Sequence, residues 1–294
     1  LVNLEWHEQF LFILKCNTKL AKFLGNVYIE NQFVIIFPKL IEIYNRAISG
    51  INYCLNNNKI VSQEAPMIKT IARLITESIS GCGQSNLIQK IILQPVVDIF
   101  FQDYRMSQCK TPEVIGLVAS IVSRVPDYAS TKIDSIFISI IEPTIQLLQD
   151  PNDNQQFKVE FNQLTSSLCN SCTSFLTTIP KEKIDLFINC LKLQCENFDL
   201  SISEKAIQVL YDLVNIIESR VPHQFLIDFQ TYYYSEFLTF VFILLTDSIH
   251  KFAFNTLIAL SRKLVSSQSI NTNIEELVGN FSEIFLNRSP MEIF

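Results

Sequence analysis

The sequence predicts an all-α fold, a HEAT-repeat α-solenoid of about six antiparallel helix pairs. Three observations support this. Apolar residues recur at helical spacing along nearly the whole chain, breaks in that pattern return every 42 to 47 residues, and only 6 of the 294 residues are glycine. The first favours amphipathic helices, and the second is the period of HEAT and armadillo-like repeats. The third leaves few tight turns.

The breaks place the start of each helix–turn–helix unit. A first unit covers roughly residues 4–50, and later units begin near Pro66, Pro112, Asn154, Ser201 and Ser248. Proline is favoured in the first turn of a helix, and serine and asparagine are favoured as N-caps. A helix pair cannot bury its apolar face alone, so neighbouring pairs are expected to stack into one continuous core. Residues 1–294 are therefore predicted to form a single solenoid, and because the chain begins at Leu1, we expect a fragment of a longer protein.

Proline also marks the turn inside three consecutive units. The turns are Arg124-Val125-Pro126, Thr178-Ile179-Pro180 and Arg220-Val221-Pro222. Proline just past a helix end stops the helix, since it lacks an N–H and disfavours the helical conformation in the preceding residue. Pro95 and Pro143 lie inside predicted helices, where we expect kinks. The polar stretches Asn52–Glu64 and Asp150–Asn154 are predicted to be surface loops.

Charge and hydropathy exclude several functions. The chain carries 23 Lys and Arg against 29 Asp and Glu, a net charge of −6, and its basic residues are scattered. Nucleic-acid binders normally carry a basic stripe, so direct nucleic-acid binding is not expected, and a partner with a basic face fits better. The strongest apolar run, Phe237–Leu245, is shorter than the roughly 20 residues that span a bilayer, which predicts a buried helix and no membrane insertion.

The eight cysteines are interpreted as small buried apolar side chains of a reducing compartment. Cys169 and Cys172, with Cys190 and Cys195 downstream, are the best candidate for a metal site, because four thiolates can bind zinc. The second pair has four intervening residues, however, and Cys169 and Cys172 fall on one helical face, as core residues do. Core packing is therefore favoured, and no metal or cofactor is predicted.

Other polar combinations do not give a catalytic arrangement. Asp247-Ser248-Ile249-His250 contains the residue types of a hydrolase triad, but sequence neighbours at a helix start cannot converge as a triad does. A helix cap followed by an exposed histidine is expected instead. Within Tyr232-Tyr233-Tyr234 only one or two rings can face a partner, and core packing with a polar rim is favoured. The chain is predicted not to be an enzyme.

Four acidic residues lie near predicted turns, and they are Asp150, Asp153, Glu182 and Asp185. Most such charges are simply solvated. In a solenoid, however, the turns and one helix layer form the binding surfaces, so some of these carboxylates are candidates to receive a basic partner. The sequence assigns no individual partner-contacting residue.

Several segments, taken in order, resemble one known family. The first covers residues 94–105, a proline–aliphatic–Asp helix ending in Asp103-Tyr104-Arg105, and Thr111-Pro112-Glu113-Val114-Ile115 follows it. The others are Ile133-Asp134-Ser135-Ile136-Phe137, Phe175-Leu176-Thr177-Thr178-Ile179-Pro180, Ala206-Ile207-Gln208-Val209-Leu210 and Leu245-Thr246-Asp247-Ser248-Ile249-His250. Over roughly residues 10–285, these segments together resemble the C-terminal region of the exportin-1 family, the leucine-rich nuclear-export-signal receptors of the karyopherin superfamily.

The resemblance implies a ring-like HEAT solenoid that acts in nuclear export. In that family the intact receptor binds cargo and the GTP form of the Ran GTPase cooperatively, passes the nuclear pore, and releases cargo when the GTPase hydrolyses GTP. The implied partners are therefore Ran-GTP, nuclear pore proteins and, through upstream repeats outside this chain, export cargo. The implied location is both nucleus and cytoplasm.

An unrelated HEAT scaffold is the alternative, for example a phosphatase regulatory subunit or a vesicle-coat adaptor. The repeat period and the composition fit such a scaffold equally well. Only the collinear segments favour the export receptor.

Overall fold

The computed structural model describes residues 4–57, 64–107, 109–149 and 155–266, and over these residues the chain is all-α with no strand. The first of two compact units covers Leu1–Cys172. Its helices are α1 (Leu4–Leu24), α2 (26–56), α3 (Glu64–Gly81), α4 (85–106), α5 (Pro112–Arg124), α6 (126–148, with a turn at Lys132) and α7 (Gln155–Ser171).

The second unit covers Thr173–Phe294 and is described as far as residue 266. Its helices are α8 (Ser174–Thr178), α9 (Lys181–Cys195), α10 (Leu200–Arg220), α11 (223–246), a 3₁₀ helix (Ser248–Ala253) and α12 (Phe254–Ser266). Along the chain, the described residues thus supply the helices of five predicted repeats and the first helix of a sixth, in the order that the sequence predicts.

Helices of successive pairs pack side by side within each unit. In the first unit α1 packs on α3, α3 on α5, and α5 on α7. In the second unit α10 packs on both α9 and α12. The first helices of the pairs therefore form a continuous layer in each unit, as expected when every pair depends on its neighbours to bury apolar surface.

Side-chain hydrogen bonds between neighbouring pairs repeat at nearly the same sequence separation. The Ser80 and Ser120 hydroxyls lie 3.3 Å apart and are separated by 40 residues, as are Tyr104 and Thr144 at 2.9 Å. Ser123 donates to Ser167 across 44 residues. These separations match the period of the sequence pattern because equivalent positions of successive pairs face one another.

Most predicted helix starts agree with the structure to within a few residues. Pro112 is the first residue of α5, Ser201 is the second residue of α10, and Pro66 is the third residue of α3. Ser248 begins the 3₁₀ helix, and α-helical structure resumes only at Phe254. Asn154 lies outside the described residues.

The predicted proline turns are present in two units and altered in one. α5 ends at Arg124 and α6 begins at Pro126, while Pro222 directly precedes α11. The helix predicted to end at Thr178 instead stops at Ser171, and a separate short helix, α8, reaches Thr178. The turn at Ile179-Pro180 is kept, since Ile179 has extended backbone with ψ near 148°.

The loop predicted for Asn52–Glu64 is wrong at its start. α2 continues to Asn56, and the side-chain amide of Asn57 donates to the Tyr53 carbonyl at 2.8 Å. The Asn57 backbone N–H donates to the same carbonyl at 3.2 Å, so the asparagine run ends the helix instead of preventing it. Residues 58–63 and 150–154, which complete the two predicted loops, lie outside the described residues.

The internal prolines occur beside π-helical turns. Such turns cover Gln89–Leu93 and Val97–Phe101 in α4, and Phe137–Ile141 in α6. A proline ring clashes with the carbonyl four residues earlier in an α-helix. For Pro95 and Pro143 that carbonyl belongs to Ile91 and Ser139, each within a wider π-helical turn that relieves the clash. Pro38, which the sequence pattern did not single out, lies inside α2 soon after another such turn, Ile29–Phe33.

Two glycines allow the α1–α2 turn to approach the end of α3. Gly25 has φ +52°, and a Cβ atom there would lie 2.5 Å from the Gly81 carbonyl oxygen. A Cβ atom on Gly81 would in turn lie 2.7 Å from the Ala21 carbonyl oxygen. Backbone therefore contacts backbone at this point, which leaves no space for a side chain at either position.

The apolar run Phe237–Leu245 lies within α11, and Phe237, Phe240 and Val241 are buried, as predicted. Within the described ranges no single helix is both long and apolar enough to cross a membrane. One bent pair, His223–Thr246 with Ser248–Ser266 at 104°, satisfies those criteria by length and composition only.

Candidate partner-binding surface

The cysteines are mostly, but not all, core residues. Cys169 and Cys172 are buried in the first unit, and Cys190 and Cys195 are buried in the second. Burial raises the pKa of the Cys190 thiol to about 12 and also raises that of Cys195. These two thiols are therefore protonated at neutral pH, which makes them poor nucleophiles and poor metal ligands. The sequence predicts that all eight cysteines are buried, and this is wrong for three of them. Cys16 is exposed and Cys54 and Cys109 are partly exposed, since they lie on outer helix faces or in a loop.

No metal centre is found in the part of the chain that the structure describes. Within it, no three His, Cys, Asp or Glu side chains are placed to hold one ion.

His250 is buried, which corrects the expectation of an exposed histidine. Its Nε2 lies 2.9 Å from the Cys195 carbonyl oxygen, and its Nδ1 lies 3.3 Å from the Asp247 Oδ2. Asp247 caps the 3₁₀ helix as predicted, accepting a hydrogen bond from the Ile249 N–H at 3.0 Å. The 3₁₀ geometry turns the imidazole into the core, where it joins the end of α9 to the start of the sixth pair, beyond α10 and α11.

The three consecutive tyrosines have different environments. Tyr233 and Tyr234 are buried, and their hydroxyls donate to the Asp185 and Glu218 carboxylates. Burial raises the pKa of both phenols, and the neighbouring carboxylates raise it further. Tyr232 is 57% exposed, with the Lys181 Nζ 3.4 Å from its ring centroid. One ring is thus available to solvent, as the sequence predicts.

The acidic residues singled out in the sequence do not form a common surface in the described residues. Asp185 is the acceptor for Tyr233, and Glu182 is exposed in the first turn of α9. Asp150 and Asp153 lie outside the described residues.

The first helices of the first unit instead line an acidic groove, which we call the α3–α5 groove, with a volume of about 410 Å³. It is lined by Thr18 of α1, Arg73, Thr76, Glu77 and Ser80 of α3, Glu113, Gly116 and Ser120 of α5, and Glu160 and Gln163 of α7. Apart from Gly116, every residue that lines the groove has a polar or charged side chain. Three carboxylates and one guanidinium give the groove a formal charge of −2.

Glu113 is the most unusual residue of this groove. Its side chain is only 3% exposed, and its Oε1 lies 3.1 Å from the Arg73 Nη2. Its Oε2 has no hydrogen-bond partner among the described residues. A buried carboxylate oxygen without a donor is destabilising, so the groove contains a polar atom whose hydrogen-bonding capacity is unused.

The sequence pattern did not identify this groove. Glu113 was noted only within the Pro-Glu-Val segment, and its neighbours are spread over helices separated by about one repeat period. The available signal was the pattern of α5 itself, in which Glu113, Gly116 and Ser120 interrupt an otherwise apolar helix at helical spacing.

A second candidate surface is apolar and lies on the first helix pair. Phe12, Phe23 and Ile35 are 68%, 81% and 74% exposed. Exposed apolar patches are common where another protein element packs.

Comparison with known proteins finds similarity over most of the chain. The family model described as CRM1 C terminal matches residues 32–286. Exportin-1 of Drosophila melanogaster is 21% identical over 294 residues, which cover 95% of this chain and 27% of that protein. Exportin-1 of Schizosaccharomyces pombe is 26% identical over 189 residues, 63% of this chain and 17% of that protein. Protein EXPORTIN 1B of Arabidopsis thaliana is 21% identical over 267 residues, 87% of this chain and 24% of that protein. The chain thus spans about a quarter or less of the length of these relatives.

Proposed function

Because the chain belongs to the CRM1 C-terminal family, we propose that it is the C-terminal part of a nuclear export receptor. The whole receptor carries nuclear-export-signal cargo out of the nucleus in a Ran-GTP-dependent manner. The observation that supports this most is the family match over residues 32–286, on a chain whose helix pairs repeat at the HEAT period. The expected partners are Ran in its GTP form and nuclear pore proteins, with cargo bound through upstream repeats, and the receptor shuttles between nucleus and cytoplasm.

The proposed mechanism is conformational and not catalytic. Each helix pair is joined to the next by apolar packing and by single hydrogen bonds such as Tyr104–Thr144. Small rotations at many such joints change the curvature of a solenoid with little local rearrangement. Two ligands that both favour one curvature then raise each other's affinity, which is the coupling that cooperative binding of cargo and Ran-GTP requires.

A nucleotide-dependent pull-down tests this proposal. The complete protein encoded by the reading frame is immobilised and incubated with Ran loaded with GTP or with GDP, with and without a leucine-rich export peptide. We expect preferential capture of the GTP form, and greater capture when the peptide is present. A peptide with its leucines replaced by alanine is the matched control, and equal capture of both nucleotide forms would contradict the proposal.

We also propose that residues 1–294 form one continuous solenoid. The single tryptophan, Trp6, reports on the first unit, whereas circular dichroism reports on all helices. For a continuous solenoid we expect the two signals to give the same midpoint during urea unfolding. Two separated midpoints would instead indicate independently folding parts.

A further inference from the structure

We infer that the α3–α5 groove is a binding site for an arginine- or lysine-bearing segment of a partner protein. The inference does not depend on the export role, because it rests on the groove's own chemistry. Its starting point is the buried, half-paired carboxylate of Glu113.

The groove is built by side chains at equivalent positions of neighbouring helices. Glu113, Gly116 and Ser120 follow one face of α5 at spacings of three and four residues. Glu77 lies opposite them on α3 and forms no ion pair or hydrogen bond among the described residues. The groove therefore presents acceptors from several helices to a ligand that enters from solvent.

Gly116 allows the Glu160 side chain of α7 to approach α5. A Cβ atom at this position would lie 2.5 Å from the Glu160 Oε2. Glycine inside a helix costs about 1 kcal/mol relative to alanine. The close approach of Glu160 accounts for this glycine, and it places a third carboxylate beside Glu77 and Glu113 in the groove.

The chemistry of the groove selects an organic cation. Carboxylates only accept hydrogen bonds when ionised, so the ligand must donate them. Among the described residues the acidic side chains are not placed to share a metal ion. A guanidinium or ammonium group satisfies the charge, donates in several directions, and also suits the hydroxyl of Ser120. The cavity of about 410 Å³ falls in the size range of ligand sites, about 300–1,000 Å³.

Arg73 shows that such pairing is possible in this groove. Its guanidinium already bonds Glu113 Oε1 while remaining 60% exposed. A second cation of the same kind on a partner segment would pair with Glu77 and would be attracted by the buried Glu113 carboxylate beside it. Lys15 and Lys19 line the adjoining groove, so the attraction for cations is confined to the side bearing the carboxylates.

Fluorescence anisotropy with a labelled octapeptide of alternating glycine and arginine tests the site. The 294-residue chain is titrated at low and at moderate salt, with a glycine–glutamine octapeptide as the uncharged probe. Glu77→Gln and Glu113→Gln each preserve side-chain shape and are expected to weaken arginine-peptide binding about tenfold. Glu204→Gln, at an exposed position on α10 in the second unit, makes the same charge change and is expected to alter affinity less than about twofold.

The result is interpreted by comparing the three variants. Circular dichroism establishes that each variant is folded before its affinity is used. Equal weakening by Glu77→Gln and Glu204→Gln would show that only the overall acidity attracts the peptide, and the inference would be overturned. It would also be overturned by equally tight binding of the glutamine peptide, or by the absence of arginine-peptide binding at low salt.

Discussion

Replacing Tyr44 by phenylalanine measures what one hydrogen bond between neighbouring helix pairs contributes to stability. Tyr44 is fully buried in α2, and its ring centroid lies 4.0 Å from that of Phe100 in α4. Its hydroxyl donates to the Asp103 Oδ2 at 2.9 Å. The substitution keeps the buried ring and its stacking, and removes only the donor that joins the first pair to the second.

The expected loss follows from the nature of the acceptor. A hydrogen bond to a charged group contributes about 1.5–3 kcal/mol. Asp103 is partly exposed, so water replaces part of the lost bond, and we expect a decrease of about 1.5 kcal/mol in the free energy of unfolding. For a unit of this size that corresponds to a melting temperature lower by about 3–6 °C.

Urea unfolding followed by circular dichroism provides the measurement. Tyr232→Phe is the matched control, because this ring is exposed and its hydroxyl has no hydrogen-bond partner among the described residues, so a change below about 0.5 kcal/mol is expected. Combining Tyr44→Phe with Asp103→Asn gives the coupling energy between the two side chains. A loss below about 0.5 kcal/mol for Tyr44→Phe, or fully additive losses in the double variant, would refute the reasoning.

Three further predictions use other features of the structure. Burial raises the pKa of Asp103. The resulting contribution to the free energy of unfolding is fully present below the unfolded pKa of about 3.9, and it is lost as the pH rises through the higher folded pKa. In urea unfolding at several pH values, Asp103→Asn should remove this pH dependence. Gly25→Ala should destabilise the chain by about 2 kcal/mol, because Gly25 has a positive φ and contacts backbone. A Cβ atom at Gly83 would have its nearest side-chain atom 3.8 Å away, so Gly83→Ala should change stability by less than about 0.5 kcal/mol. Equal effects of the two substitutions in thermal unfolding would contradict this reasoning. Iodoacetamide at pH 8 should alkylate the exposed Cys16 within minutes and leave Cys190 unmodified until urea is added. Peptide mass spectrometry identifies the labelled cysteines. Rapid labelling of Cys190 in the folded chain would contradict its burial and its raised pKa.

The sequence predicts the helix pairs well because the signals for them are local. Proline at the first turn of α5 restricts the backbone within a few residues, and apolar spacing identifies the buried faces. The start of α10 is predicted closely, but its N-cap is Asp199, which accepts the Ser201 N–H, and not Ser201 itself. The cap at Asp247 is predicted for the same reason. The burial of His250 is not, since it depends on a carbonyl oxygen 55 residues earlier in the chain.

The α3–α5 groove is missed for a related physical reason. Its carboxylates come from three helices, and only the stacking of those helices brings Glu77 and Glu113 to one cavity. The unused Oε2 of Glu113 depends on burial and on the geometry of Arg73, neither of which has a signature in the local sequence. Sequence reasoning therefore places candidate acids near turns, whereas the structure places the acidic surface along the helix layer.

The π-helical turns have a consequence for the phase of the apolar pattern. In α4 one row of buried side chains falls at every fourth position, at Ile88, Ile92, Val96, Phe100 and Tyr104, and Leu93 and Phe101 are buried beside this row. A step of four residues in a straight α-helix turns by about 400°, so each side chain is displaced by about 40° from the one before. After four steps the displacement would reach about 160°, and the ends of the stripe would face opposite directions.

The wider turns at Gln89–Leu93 and Val97–Phe101 rotate less per residue and return the stripe to one side of the helix. α11 has the same every-fourth pattern through Phe229, Tyr233, Phe237 and Val241, and it also contains a π-helical turn. The same period also occurs in a regular α-helix, at Met67, Ile71, Ile75 and Ile79 of α3, so the period alone does not predict such turns. Deleting one residue within them would rotate all later side chains by about 100°, exchanging the buried face for a solvent-facing one.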